Sequence, residues 1–226
     1  MAEFDPNKTN QRTPGNVRNR RPQADLSSVV YGKVPPQASD LEEAVLGAFM
    51  IDRDAVTNAI EILDRTPTVV ESMLSGLSEA WTHSNNGEDT WSPYDIVGHL
   101  IHGEKTDWIP RMHIILDASG DKRFQPFDRR AQFNDSKGKT LSALLAEFKS
   151  LRRDNLKILR RTPITDIELE MKGIHPAFGE VSLSQLLSTW VVHDLGHLAQ
   201  LSRVMASQYR DDVGPWIEYL SILTRP

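Results

Sequence analysis

From residue 41 onward, apolar side chains recur at three- and four-residue intervals between short polar breaks, a spacing that predicts a succession of helices. Leu41, Val45, Leu46 and Phe49 predict a short helix over 41–50, capped by Ser39 or Asp40 after the stiff Val34-Pro35-Pro36-Gln37 stretch. Asp52 caps a second one, with Ala55, Val56, Ala59, Ile60 and Leu63 on one face. Thr66 as cap and Pro67 at a first helical position open a longer helix to about residue 82, striped by Val70, Met73, Leu74, Leu77 and Trp81 and closed by Ser84-Asn85-Asn86-Gly87. Ser92-Pro93 starts the next, reaching about residue 116, with Ile96, Val97, Leu100, Ile101, Trp108 and Ile115 inward. Thr140 caps a third long helix to about residue 159, carrying Leu141, Leu144, Leu145, Phe148, Leu151 and Leu156. Ser182 begins a fourth, to about residue 208, and Gly214-Pro215 opens a terminal helix over 216–223 that can lie against the others.

Four long amphipathic helices that must bury their stripes against one another predict an all-α four-helix bundle over residues 64–226. The polar stretch 117–139 is too long for a tight turn and reads as a crossover or the wall of an active site. A second long connection contains His175-Pro176-Ala177-Phe178-Gly179-Glu180. These crossover loops permit a topology in which the second and third helices are not sequential antiparallel neighbours. Ahead of the bundle, 34–63 forms a short helical hairpin. Residues 1–33 hold too few apolar side chains to offset the entropy of ordering and are expected to be a disordered arm.

Composition refines this picture. With 226 residues and 39% hydrophobic content, the chain supports one well-buried core and an appendage. The arm is basic, with Lys8, Arg12, Arg18, Arg20, Arg21 and Lys33 against Glu3, Asp5 and Asp25. Its balance is +3, so the rest of the chain carries −8 of the total −5. An acidic body argues against nucleic-acid binding by the bundle, which would need a basic face. The absence of cysteine excludes disulfides, thiolate catalysis and sulfur-ligated zinc, leaving imidazole and oxygen as ligands for any metal. No signal pattern opens the sequence and no apolar run approaches the roughly 20 residues that span a bilayer, so a cytoplasmic location without membrane attachment is expected.

Among the seven histidines, His193 and His197 lie four apart in a strong helical pattern, so their rings project from one face and can chelate a single ion. Such a pair also occurs on helices without function. His99, flanked by Val97, Leu100 and Ile101 on another helix, can point toward them. Three neutral imidazoles leave coordination positions open for water or substrate. The site suits a divalent ion, with zinc or nickel foremost and manganese or iron also compatible.

Weaker candidates surround these three. Asp95 could orient the His99 ring or simply serve as first-turn helix charge. His102 falls beside the site or, more commonly for such a residue, at a partly exposed polar position. Glu104 and Asp107 could act as general bases, although carboxylates on solvated helix faces are the commoner outcome. Asp194 is turned about 100° from His193 around the helix and is not expected to be a ligand. Trp91, Trp108 and Trp190 read as packing residues, with stacking on a flat substrate as the minor alternative. His83 and His113 read as surface, and His175 as a residue at a pocket lip.

Two resemblances add to these readings. Residues 90–104 (TWSPYDIVGHLIHGE) and 186–200 (LLSTWVVHDLGHLAQ) resemble, in order and spacing, the two metal-ligand segments of the DinB-like (YfiT-like) superfamily of four-helix bundles. That resemblance covers about 64–226 and implies His99, His193 and His197 as ligands. It also implies a metal-dependent hydrolase or a transferase of low-molecular-weight thiols, in which the ion lowers the pKa of a bound water or thiol. A small-molecule substrate and a homodimer are expected. Separately, GKVPPQASDLEEAVLGAFMIDRDAV resembles the opening of the N-terminal domain of a DnaB-type replicative helicase over about 30–62. It implies replication proteins as partners for that fragment, or a fusion accident. Helicase or ATPase activity is not implied, because no G-x-x-x-x-G-K-[ST] stretch is present.

Overall fold

Capping chemistry sets where the long helices begin. The computed structural model describes residues 55–87 and 90–224; the arm over 1–33 and the helix expected over 41–50 lie outside them. In order, the described elements are α1 (Ala55–Leu63), α2 (Thr66–Leu74), α3 (Glu79–Thr82), α4 (Pro93–Thr106), α5 (Trp108–Leu116), α6 (Ala131–Asp135), α7 (Leu141–Arg161) and α8 (Asp166–Glu170). Strands β1 (Lys172–His175) and β2 (Gly179–Ser182) follow, then α9 (Leu183–Ser207), a 3-10 turn (Gly214–Tyr219) and α10 (Ser221–Thr224). The side chains of Ser92, Thr140 and Ser182 each accept from a backbone N–H three residues on, opening α4, α7 and α9 as their sequence signals predict.

Two expected helices are broken. Ser75 turns extended and Gly76 takes a φ of 78°, so the first stripe stops at Leu74 and resumes only as the single turn α3. Leu77 accordingly sits at the surface. Further on, Pro110 has no N–H to give and its ring crowds the carbonyl of Thr106, so the helix breaks at Asp107 (φ −107°, ψ −70°) into α4 and α5. Thr66 is not a cap but the first residue of α2, with Arg65 at the N-cap position. The terminal helix is replaced by the 3-10 turn and α10, which bury Leu223 and leave Trp216 exposed.

The fold is mostly helical, not wholly so. The connection after α7 holds an antiparallel hairpin of β1 and β2, whose turn is shaped by His175 Nδ1 accepting the N–H groups of Ala177 and Phe178 at 3.2 and 3.3 Å. The stretch 117–139 docks on this hairpin: the Phe124 N–H donates to the Ile174 carbonyl (2.9 Å) and the Phe124 ring is buried. A Cβ at Gly173 would lie 2.4 Å from Phe124 Cε1 and 3.0 Å from Ile115 Cγ1. Gly173→Ala is therefore expected to destabilise the protein by about 1–3 kcal/mol, read as a lower urea midpoint.

The long helices form four legs: α1 with α2, α4 with α5, α7, and α9. α7 packs on α2 and α4, while α9 packs on α1, α4 and α5. The ring order is thus first, third, second, fourth. The second and third legs are direct neighbours, and the diagonal crossings instead join the first leg to the second and the third to the fourth. The face of α1 formed by Ala55, Ala59 and Leu63 is buried, with Val56 and Ile60 packed beside it.

Two apolar clusters occupy opposite ends of the bundle. One holds Leu63, Trp108, Met112, Leu156, Leu159 and Trp190; the other holds Val70, Leu74, Leu100, Leu144, Phe148 and Leu201. Between them lies a charged layer. Arg152, one turn from both Phe148 and Leu156, is 1% exposed and contacts every leg. Its Nη1 donates to the Leu63 carbonyl (2.7 Å) and to Asp194 Oδ2 (2.6 Å), and its Nη2 to Asp194 Oδ1 (3.0 Å). Nε and Nη2 both donate to Glu104 Oε1, at 3.0 and 2.7 Å. Glu104 also receives the Trp190 indole N–H (3.2 Å) and Asn155 Nδ2 (3.0 Å). The guanidinium further stacks on the Phe148 and Trp190 rings.

Candidate metal centre

His99 projects from α4 and His193 and His197 from successive turns of α9, and α4 packs on α9. Their rings meet. His193 Nε2 lies 3.0 Å from His99 Nε2 and 3.1 Å from His197 Nε2, and one ring nitrogen from each of the three lies within 4.8 Å of the others. Ligands about 2.0–2.1 Å from a tetrahedral ion stand roughly 3.3 Å apart, so these spacings match a shared ion closely.

The far nitrogens fix the ring orientations. His99 Nδ1 pairs with Gln132 Oε1 at 3.3 Å and His197 Nδ1 with Gln200 Oε1 at 2.8 Å. Both carbonyl oxygens can only accept, so each Nδ1 carries the proton and each Nε2 turns its lone pair inward. Burial, reinforced by the neighbouring imidazoles, pushes the pKa of His99 down to about 2 and that of His197 to about 3. Both rings are therefore neutral near pH 7, the form that binds metal. The donor set and its orientation fit a divalent ion.

The wall of the site comes from 117–139, as the length of that stretch suggests. Phe127 sets its ring 5.4 Å from His99 and 4.9 Å from His102, and α6 brings in Gln132. Tyr94 ties the end of this wall to α4 by donating to the Ser136 and Lys139 carbonyls (2.5 and 2.9 Å). Opposite, the Trp91 ring is 4.6 Å from His99 and 6.2 Å from His197, so this tryptophan belongs to the site; Trp190 stacks on Trp108 in the core, and Trp108 also meets the His193 ring edge-on at 5.1 Å. Gln132 carried no signal in the sequence, because its segment has no periodic pattern.

The secondary candidates fall elsewhere. Asp95 is committed to the α4 capping box, where Ser92 N–H and Oγ–H both donate to its Oδ2 at 3.0 and 2.6 Å; Gln132 takes the orienting role instead. His102 is buried, not partly exposed, with Nδ1 3.6 Å from Asp135 Oδ2. Glu104 is neither solvated nor at the histidines but inside the charged layer. Asp107 is half-buried and paired with Arg111 at 2.6 Å; burial lifts its pKa against the pull of Arg111, His193 and His102. Asp194 faces the core, not the histidine cluster, and Arg152 holds its pKa down to about 2 despite the opposing effect of burial. His83 and His113 are exposed, and His175 serves the hairpin turn.

A four-helix bundle with three converging histidines on its second and fourth legs defines the class of this protein. Residues 62–201 match the model of the DinB superfamily, and the chain belongs to that family. Among solved structures it is similar to YfiT from Bacillus subtilis, described as a probable metal-dependent hydrolase with an unusual four-helix bundle topology. The TM-score is 0.58 and the identity 21%, over 68% of this chain and 89% of that one. A 32-residue stretch is 59% identical to the replicative DNA helicase DnaB of Rhodothermus marinus; it makes up 14% of this chain and spans 3% of that helicase. No described helix is long and apolar enough to cross a membrane.

Proposed function

We infer that the protein is a metal-dependent hydrolase of a small molecule, with His99, His193 and His197 as the ligands of one divalent ion. The observation that carries this reading is the convergence of three Nε2 atoms at 3.0 and 3.1 Å while glutamine carbonyls hold two of the rings from behind. Inward-facing lone pairs at such separations repel one another unless a proton or a metal ion lies between them. When bound, the ion supplies Lewis acidity and lowers the pKa of a water or thiol that it holds.

The remaining roles belong to the chain. Trp91 and Phe127 flank His99 and suit the flat or apolar part of a substrate. Asp107, half-buried, paired with Arg111 and within electrostatic reach of His193 and His102, is the carboxylate we assign as proton acceptor. Zinc and nickel are the preferred ions for three imidazoles, with manganese or iron next. Transfer of a low-molecular-weight thiol uses the same ligand set and is the alternative outcome of the substrate test.

Metal analysis of protein purified without an affinity tag should find about one equivalent of zinc or nickel per chain, by the one-site geometry. His99→Ala and His193→Ala should each weaken binding by about 100-fold or more, since each removes one of three ligands. Turnover of a small ester and amide panel, with and without added thiol, should then depend on the bound ion. Undiminished metal binding in both variants contradicts the assignment.

A further inference from the structure

The third histidine lacks the support that the other two have. His193 Nδ1 is buried and has no hydrogen-bond partner, unlike the Nδ1 atoms of His99 and His197. Asp194 Oδ1 stands 3.9 Å from His193 Nδ1, beyond hydrogen-bond length. A metal-bound histidine ordinarily donates its second N–H to a carboxylate or carbonyl. On His193 that N–H can only be Nδ1–H, because Nε2 is the atom turned toward the other two rings.

Asp194 is already positioned for this role. Its Oδ2 accepts from Arg152 Nη1 at 2.6 Å, while Oδ1 takes one longer bond from Nη2 at 3.0 Å and retains a free lone pair on the His193 side. The layer behind it is unbalanced. Glu104 and Asp194 are two carboxylates against the single guanidinium of Arg152, all three with side chains at most 1% exposed. A buried surplus of one negative charge is costly unless a cation lies nearby. A divalent ion on the Nε2 atoms of the three imidazoles would supply one.

We propose that Asp194, held by Arg152 and Glu104, is the positioning residue for His193: it accepts the Nδ1–H when an ion binds and lends that ion its surplus negative charge. The proposal rests on the metal-centre reading above. It makes the charged layer part of the site and links ion binding to the register of all four legs. Asp194 acts through His193 and does not itself ligate the ion.

Zinc alone is the probe. Competition titrations with a chelating dye should show Asp194→Asn binding zinc about 10- to 100-fold more weakly than the unmodified chain, the usual effect of removing an outer-shell partner. Glu104→Gln removes an equal charge from the same layer without touching His193. It should lower the thermal midpoint comparably yet weaken zinc binding clearly less than Asp194→Asn does, because it removes the layer's surplus charge but leaves the acceptor of the His193 Nδ1–H in place. Equal losses of affinity in the two variants, or none in Asp194→Asn, overturn the proposal.

A second measurement needs no variant. Long-range ¹H–¹⁵N spectra of the zinc-loaded chain should show the His193 Nδ1 proton shifted downfield and slow to exchange with solvent; an Nδ1 that is unprotonated or exchanges freely overturns the proposal even if Asp194→Asn fails to fold. Failure of the metal-centre reading looks different, because then the unmodified chain itself takes up no zinc, or His99→Ala leaves the affinity unchanged.

Discussion

Arg152→Met should destabilise the protein by about 3–5 kcal/mol, the range for removing one partner from a buried ion pair. The reason is the geometry of the layer it leaves behind. Glu104 and Asp194 each receive two of the five donations that Arg152 makes, and the fifth reaches the Leu63 carbonyl at the junction of α1 and α2. Methionine fills the space but supplies no proton and no charge. Two buried carboxylates would then face one another with only Trp190 and Asn155 as donors to Glu104. Against a typical total stability of about 5–15 kcal/mol, the loss brings the variant close to unfolding at ordinary temperatures.

Urea denaturation at pH 7.5 measures it, with the midpoint falling and the slope unchanged if the native state stays compact. The triple variant Arg152→Met, Glu104→Gln, Asp194→Asn should recover much of the loss, because neutralising the whole layer removes the unpaired charges. A single variant that loses less than about 1 kcal/mol would mean that the layer is solvated or dispensable, contrary to its burial.

Why was this layer hidden in the sequence while the histidines were not? His193 and His197 belong to one helix, and a four-residue interval on a helix states their proximity outright. His99 followed from its apolar neighbours, and Ser92, Thr140 and Ser182 marked their helix starts through local capping chemistry. Glu104, Arg152 and Asp194 come from three different legs, and each alone resembles ordinary solvated helix charge. A signal did exist. Arg152 stands in line with Phe148 and Leu156, Glu104 with Leu100 and Trp108, and Asp194 with Trp190 and Leu198, so each interrupts an apolar stripe. Three charges of mixed sign in otherwise apolar stripes predict a shared buried layer. Pro110 equally announces the break at Asp107, since proline inside a helix removes a hydrogen bond. The hairpin and Gln132 had no comparable marker, because both arise from tertiary docking of loops on the bundle.

Stability should fall steeply as the pH drops from about 6.5 toward 4.5, and zinc should oppose that fall. His99 and His197 are held neutral in the folded protein, with pKa values of about 2 and about 3 against an ordinary 6.5. Below 6.5 the unfolded chain gains a proton at each of these positions and the folded one does not, so the equilibrium shifts toward unfolding. The contribution of the pair is fully present above 6.5 and is lost as the pH falls toward the folded values. Each histidine contributes up to about 1.4 kcal/mol per pH unit, or about 2.7 for both, which amounts to several kcal/mol by pH 4.5. Asp194 acts lower, its stabilisation lost only between about 4 and 2, while Asp107, lifted by burial, works in the opposite direction. The window between 6.5 and 4.5 therefore reports mainly on the histidines. Urea midpoints across this range should decline steeply for the metal-free protein and much less for His99→Asn with His197→Asn, which keeps polar groups but cannot titrate. Zinc binds only the neutral rings, so an excess should raise the midpoint at pH 7 and displace the acid transition downward. A flat profile between pH 7 and 5 in the metal-free protein would mean that the His99 and His197 rings are solvated and free to take up protons, and a cluster of that kind would not be prepared to hold an ion.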